Sequence, residues 1–244
     1  MPIKNPHASK LCVSFSGGET SAFMAQWLLK NARKRYKEIL VTFANTGQES
    51  EETLDFVEKC DRYFGLGVVW VEAVVHHGKR KGSTHRVVNF ETAAREGEPF
   101  EDCISKYGIP NQAFPQCTRE LKVNPLNSYT RSLGWKPADY HTAIGIRNDE
   151  IDRVPAQYEQ RTKIYPLIPW SSWVHVPGGM TKKQINDYWK EMPFRLQLKG
   201  YQGNCKWCWK KTLRKHYTLI KESPEIYDFP ERMESLYRHV GPQE

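Results

Sequence analysis

The sequence predicts an α/β fold, a parallel twisted sheet with helices on both faces, followed by a small helical, cysteine-containing C-terminal part. Three observations carry this. Short apolar or β-branched runs recur, stretches of helical spacing lie between them, and the first two runs end at glycine-containing breaks. Strand–helix–strand–helix–strand at these lengths implies right-handed crossovers between parallel strands.

The elements follow in order. Leu11–Phe15 is the first apolar run, broken at Ser16-Gly17-Gly18. Residues 19–35 have helical spacing, with Phe23, Trp27 and Leu28 on one face. Ile39–Ala44 is the second run, ending at Asn45-Thr46-Gly47, and residues 50–64 form a second helix with Leu54, Val57 and Phe64 inward. Gly67–Val75 is β-branched and reads as a third strand. His76–Thr84 (HHGKRKGST) is polar and basic, an exposed loop. Residues 86–116 read as short helices cut by Pro99, Pro110 and Pro115. A helix over 119–133, a strand over Tyr140–Ile146 and an extended piece over Ile164–Ile168 come next. Pro169–Gly179 is a loop, and Thr181 caps a helix to about Met192. A last helical region runs from about Lys206, with a break at Pro224 and a new helix near Pro230. The expected division is 1–192 and 193–244.

Composition narrows the function classes. With 244 residues, 39% hydrophobic and 26% charged, the chain is neither disordered nor fibrous. No apolar run approaches the roughly 18 residues that span a bilayer, and Met1–Lys10 lacks the apolar core of a secretory signal. A cytoplasmic protein without a membrane partner is expected. The formal charge of +8, from 36 Lys+Arg against 28 Asp+Glu, favours anionic partners: nucleotides, sulfate esters or nucleic acid. The basic residues are spread along the chain. The sequence leaves room for a homodimer.

Ser14-Phe15-Ser16-Gly17-Gly18-Glu19-Thr20-Ser21 follows a strand and opens a helix. Glycines let the backbone approach a phosphate, and amides at a helix N-terminus point toward an anion. The hydroxyls of Ser16, Thr20 and Ser21 add donors. The loop is neither a Walker loop nor a G-x-G-x-x-G loop. It resembles the SGGxDS loop of the N-type ATP pyrophosphatases, the PP-loop superfamily, with Thr20 in place of the usual aspartate.

Four further segments resemble the phosphoadenylyl-sulfate and adenylyl-sulfate reductase family of that superfamily. Asn45-Thr46-Gly47-Gln48-Glu49, with Glu52-Thr53, is similar to its DTG…ET segment. Cys117-Thr118-Arg119-Glu120-Leu121-Lys122-Val123-Asn124-Pro125-Leu126 is similar to CCxxxKxxPL. Gly145-Ile146-Arg147-Asn148-Asp149-Glu150 with Arg153 is similar to G-[IL]-R-x-[DE]-x…R, and Gly200–Cys208 to GYxSxGCxxC. The resemblance spans roughly residues 11 to 210. It implies an adenine-nucleotide α-hydrolase-like fold and a nucleotide site on Ser14, Ser16–Ser21, Asn45, Thr46, Gly47, Glu49 and Gly145. It also implies Mg²⁺ beside the phosphates, and Arg119, Lys122, Arg147 and Arg153 around the substrate. Those four are bidentate or point-charge donors suited to phosphate and sulfate, although each also suits a surface ion pair.

Six cysteines stand at 12, 60, 103, 117, 205 and 208. Cys12 and Cys60 read as small core residues and Cys103 as structural. Cys205-Lys206-Trp207-Cys208 is a C-x-x-C knuckle, and the resemblance adds Cys117, giving the metal-ligand candidates Cys117, Cys205 and Cys208. In the family a tandem cysteine pair and a distant C-x-x-C hold a [4Fe–4S] cluster; here Thr118 replaces the second of the tandem pair. Three readings stand: an iron–sulfur cluster on three thiolates, a structural zinc with Cys103 or His216 as fourth ligand, or a metal-free redox pair or buried thiols. The family's C-terminal ECGxH cysteine has no counterpart, since no cysteine follows Cys208.

The expected function is therefore a PP-loop enzyme that binds ATP or an adenylyl nucleotide. It would adenylate an acceptor with release of pyrophosphate, for sulfur transfer to a small molecule or a nucleic acid. Sulfonucleotide reduction through another nucleophile and a non-catalytic nucleotide sensor are the alternatives.

Overall fold

The computed structural model describes residues 5–156 and 162–241; the readings that touch residues 1–4 and the last three residues of the tail lie outside them. Six strands, β1 (Lys10–Ser14), β2 (Glu38–Asn45), β3 (Val68–Val74), β4 (Thr84–Val88), β5 (Tyr140–Ala143) and β6 (Lys163–Ile164), form one sheet in the order β4-β3-β2-β1-β5-β6. β1 pairs in parallel with β2 and with β5, so Val13 lies between Val41 and Ala143. β6 is parallel to β5. The helices are α1 (Glu19–Asn31), α2 (Glu51–Phe64), α3 (Glu98–Tyr107), α4 (Gln116–Thr118), α5 (Asn124–Ser132), α6 (Lys182–Lys190), α7 (Leu213–Glu222) and α8 (Asp228–Tyr237). The α/β class and the mostly parallel sheet agree with the sequence.

Three local expectations change. Thr84–Val88, assigned to loop and helix, is an edge strand antiparallel to β3. It is short and mostly exposed, and its polar opening, Thr84-His85-Arg86, blunts the hydrophobic signal. The extended piece expected over Ile164–Ile168 stops at Ile164, because Pro166 has no amide for the ladder and Ile168 N–H turns back to the Tyr165 carbonyl at 3.0 Å. The helix expected from Lys206 begins at Leu213; before it the chain folds on itself, with Lys211 N–H donating to the Cys208 carbonyl at 3.0 Å.

By their internal contacts the residues group into two compact units. The first comprises the chain to Phe43, Asp55–Val69 and Thr130–Leu196. Its apolar stripe on α1 includes Ala22, Met24, Ala25 and Leu28, all buried. Trp189 of α6 is buried, with the Phe56 ring centroid at 5.0 Å and Phe194 at 5.9 Å. Thr181 caps α6 as expected, accepting from Gln184 N–H, while the Gln184 side chain closes the capping box.

The second unit comprises Ala44–Leu54, Trp70–Tyr129 and the chain from Gln197. Phe100, Ile104, Leu121, Trp207, Phe229 and Met233 form its core. Gly97, at φ 93°, opens α3 where a Cβ would come within 2.4 Å of the Phe229 ring. Left-handed backbone and a ring in contact together require glycine there. Gly97→Ala should cost about 1–3 kcal/mol of stability, read as a lower denaturation midpoint; an unchanged midpoint would show that this packing is not held in solution.

Candidate functional site

In the first unit, the chain leaving β1 turns through Ser16 and Gly17, at φ 79°, into α1. Gly18 is the N-cap and has no side-chain cap. The amides of Gly18–Ser21 therefore lie in the first turn, where a helix supplies no partner of its own. Ser21 fixes the loop: its hydroxyl accepts from Ser16 N–H at 3.1 Å and donates to the Gly18 carbonyl at 2.9 Å, with the Ser16 hydroxyl 3.0 Å away. The hydroxyls of Ser16 and Ser21 thus brace the cradle. Gly145, after β5, lies against this turn; a Cβ there would meet Ser21 Cα at 3.3 Å.

Arg147, two residues on, donates from Nη1 to Thr20 Oγ1 at 3.2 Å. It is aimed by Asp149 at 2.9 Å and Glu150 at 3.3 Å. So Thr20, where the family has aspartate, presents a neutral hydroxyl to a guanidinium at the positive end of α1. This end of the unit is suited to an anion. Glu19 contributes only its backbone: its carboxylate takes Arg195 at 3.0 and 3.1 Å, and its carbonyl accepts from Trp189 Nε1. Arg153 pairs with Glu150 at 2.7 Å and is largely exposed. It keeps Glu150 in place beside Arg147. Ser14 ends β1.

The other expected residues fall in the second unit. Asn45 is fully buried, its amide donating to Glu72 at 2.6 Å and to the Ala94 carbonyl at 2.9 Å. Its Oδ1 accepts from Gly47 N–H at 3.2 Å, which shapes the turn. Gly47, at φ 78°, packs against Gly97, whose Cα a Cβ would meet at 2.9 Å. Glu49 is buried and accepts from Thr46 N–H at 2.8 Å and from the Thr46 hydroxyl. Lys122 reaches Glu49 at 3.6 Å. Asn45 and Glu49 are thus occupied in building this loop.

The loop also holds the cysteine segment. Glu49 bridges to Cys205, Lys206 N–H donates to the Gln48 carbonyl at 2.9 Å, and Trp207 Nε1 donates to Gln48 Oε1 at 2.8 Å. Cys117, at the start of the helical stretch that runs into a π-helical turn at Arg119–Val123, joins Cys205 and Cys208 around one cavity of about 110 Å³. Lys122 and Trp209 line it too. Burial opposes the charge on Lys122, but Glu49 and the three thiols outweigh it and raise its pKa. Hydrogen bonding from Cys205, with the Lys210 N–H and the charges of Lys211 and Lys122, lowers the Cys208 pKa, while the same bond and burial push Cys205 up. Cys12, Cys60 and Cys103 are buried with thiols pushed up by desolvation, as structural cysteines.

These residues suit a thiolate-bound group in their chemistry. Three sulfurs line one space, lysines balance their charge, and the buried indole N–H of Trp209 has no acceptor among the described residues. Among the described residues, however, no group of three or more His, Cys, Asp or Glu stands close enough together to hold a metal ion. Of the suggested fourth zinc ligands, Cys103 is in the core, and His216 has Nδ1 2.7 Å from the Tyr227 hydroxyl, a bond that does not use Nε2.

Because its surroundings hold the Cys208 thiol below the ordinary range, its alkylation by iodoacetamide in metal-free protein should fall less steeply than an ordinary thiol's as the pH drops from about 8 to about 6. An ordinary thiol slows about tenfold per unit over that range. Peptide mass spectrometry reads this, and a decline at Cys208 of about tenfold per pH unit would refute the lowered pKa.

Sequence reasoning missed four contributors. Gln48 anchors Trp207. Glu72 holds Asn45, Ala94 N–H and Arg86; its one signal was a lone acid inside a β-branched run. Arg195 clamps Glu19. Glu120 accepts from Ser83 and Arg119.

A mostly parallel sheet whose first strand turns through glycines into a helix defines an α/β protein of the nucleotide-binding type of architecture. The profile of the phosphoadenosine phosphosulfate reductase domain matches residues 10–176, and the chain belongs to that family, part of the PP-loop superfamily, whose members are generally enzymes. The chain is similar to the "Uncharacterized nin region protein ORF290" of Escherichia phage lambda, 32% identical over 83% of this chain and 67% of the relative. It is also similar to "Uncharacterized protein MJ0066" and "Uncharacterized protein MJ0973" of Methanocaldococcus jannaschii, at 25% over 71% and 26% over 67% of this chain. The chain spans only about a third of those two, 32% and 35% of their lengths. No helix among the described residues is long and apolar enough to cross a membrane.

Proposed function

We propose that the protein is an ATP-using transferase that adenylates an acceptor and then has sulfur displace AMP. The braced loop at 16–21, with free first-turn amides and Arg147 on Thr20, is the observation that carries this reading. The β- and γ-phosphates would lie on those amides, with Mg²⁺ offsetting their charge. An acceptor oxygen attacks the α-phosphorus, the α–β P–O bond breaks, and pyrophosphate leaves. Arg147 is placed to stabilise the charge that develops on it. Sulfide then attacks the activated carbon, the C–O bond to AMP breaks, and the proton goes to solvent.

Cys117, Cys205 and Cys208 would hold an iron–sulfur cluster, a reading supported by the three thiols that line one cavity. Bound there, such a cluster supplies an iron at which sulfur can be carried or activated. Lys122 and Lys211 would balance the thiolates, and Trp209 N–H would donate to a sulfide.

Product analysis tests the reaction. ATP supplied with sulfide and transfer RNA, DNA or small-molecule acceptors should give AMP and pyrophosphate in equal amounts. ADP and phosphate, or no turnover with every acceptor, would overturn it.

A further inference from the structure

A second concavity of the same unit is not used by this chemistry. The loop after β3 and the helical stretch after α4 enclose a groove of about 760 Å³, whose cations are Lys79, Arg80, Lys81, Lys106 and Arg119. One carboxylate, Glu120, faces them. It is buried and already accepts from Ser83 N–H at 3.1 Å, the Ser83 hydroxyl at 2.8 Å, Arg119 at 2.8 Å and Asn124 at 3.2 Å. Little of its charge is left for the groove.

The loop is built rather than loosely attached. Lys106, itself buried, donates to the carbonyls of His76, at 2.7 Å, and Lys81. The Tyr107 hydroxyl donates to the Lys81 carbonyl at 3.2 Å. Gly78 at φ 117° and Arg80 at φ 60° complete a turn fixed from below by α3. Lys79, Arg80 and Lys81 are exposed and make no ion pair among the described residues.

We infer that this groove binds the sugar–phosphate backbone of a nucleic acid. Lys79, Arg80 and Lys81, three successive cations without a carboxylate partner among the described residues, are what a phosphodiester chain needs. A protein partner would need buried aromatic or aliphatic anchors, and the groove offers none: its one aromatic, Tyr107, is buried and committed to the loop. The excess charge of +8 agrees in sign. The helical stretch that faces Arg119 and Glu120 into the groove also faces Cys117 and Lys122 into the thiol cavity. A strand held here would be bound beside the sulfur donors, so the inference, resting on the proposed transfer, names nucleic acid as its acceptor.

Fluorescence anisotropy with labelled single-stranded DNA, duplex DNA and transfer RNA tests it and identifies the source of the backbone. The wild type should bind at least one, with affinity falling steeply in salt. K79Q/R80Q/K81Q removes three phosphate contacts, so between about 50 and about 200 mM salt the wild type should lose roughly 20- to 40-fold more affinity than the variant. K79R/K81R should bind as the wild type does, and all proteins should share a thermal midpoint. Binding to none of the three at about 50 mM salt, or an unchanged slope in the triple variant, overturns the inference. Binding without AMP formation would leave the groove standing and remove the reaction; AMP formation with small acceptors alone, without binding, would do the reverse.

Discussion

Cys205→Ser with Cys208→Ser should give a colourless protein that still turns ATP over but no longer yields a sulfur-containing product. The wild type, purified without oxygen, should be brown, with about four irons per chain. The two serines remove both sulfurs of the knuckle and leave Cys117 alone on the cavity, so iron content should fall to background. The nucleotide loop belongs to the other compact unit and should be untouched. The serines preserve the shape of the knuckle, and its fold rests on backbone and indole bonds to Gln48 rather than on sulfur. An unchanged thermal midpoint of the metal-free proteins checks that. Iron retained by the double variant, or a colourless wild type that carries zinc, would redirect the case.

Arg147→Ala should lower the rate of AMP formation by about 10²–10³-fold, the usual cost of losing one donor aimed at a developing charge. Its guanidinium is held from two sides by Asp149 and Glu150 and is already in contact with the phosphate loop through Thr20. Such a side chain needs no reorganisation when charge builds on the leaving pyrophosphate. Arg147→Lys keeps the charge without the fork and should recover only part of the rate. Asp149→Asn, which loosens the aim without removing the donor, should cost less than either. Steady-state kinetics should show the loss in kcat more than in KM; a change in KM alone would make Arg147 a ground-state anchor.

Much of this was legible in the sequence, and the failures have physical causes. The phosphate loop stood out because Gly17-Gly18 interrupts an apolar run just before helical spacing begins. The C-x-x-C spacing is local and needs no fold to be read. The Glu19 carboxylate is a clamp on Arg195, which the sequence could not show because that partner lies far away along the chain. Arg119 and Arg147 looked equivalent as cations; the fold sends one to Glu120 and the basic groove and the other to Thr20. β4 was hidden because it is short and mostly exposed and opens with the polar Thr84-His85-Arg86. The basic loop was correctly read as exposed, but Lys106, which fixes it from beneath, could be found only through a long-range contact.

A structure with a slowly hydrolysed ATP analogue and Mg²⁺ tests the central claim most directly. It should place the terminal phosphates on the amides of residues 17–21, with the Arg147 guanidinium within hydrogen-bonding distance of a phosphate oxygen. Phosphates bound elsewhere in the chain, or a loop that stays closed at saturating nucleotide, would contradict the account.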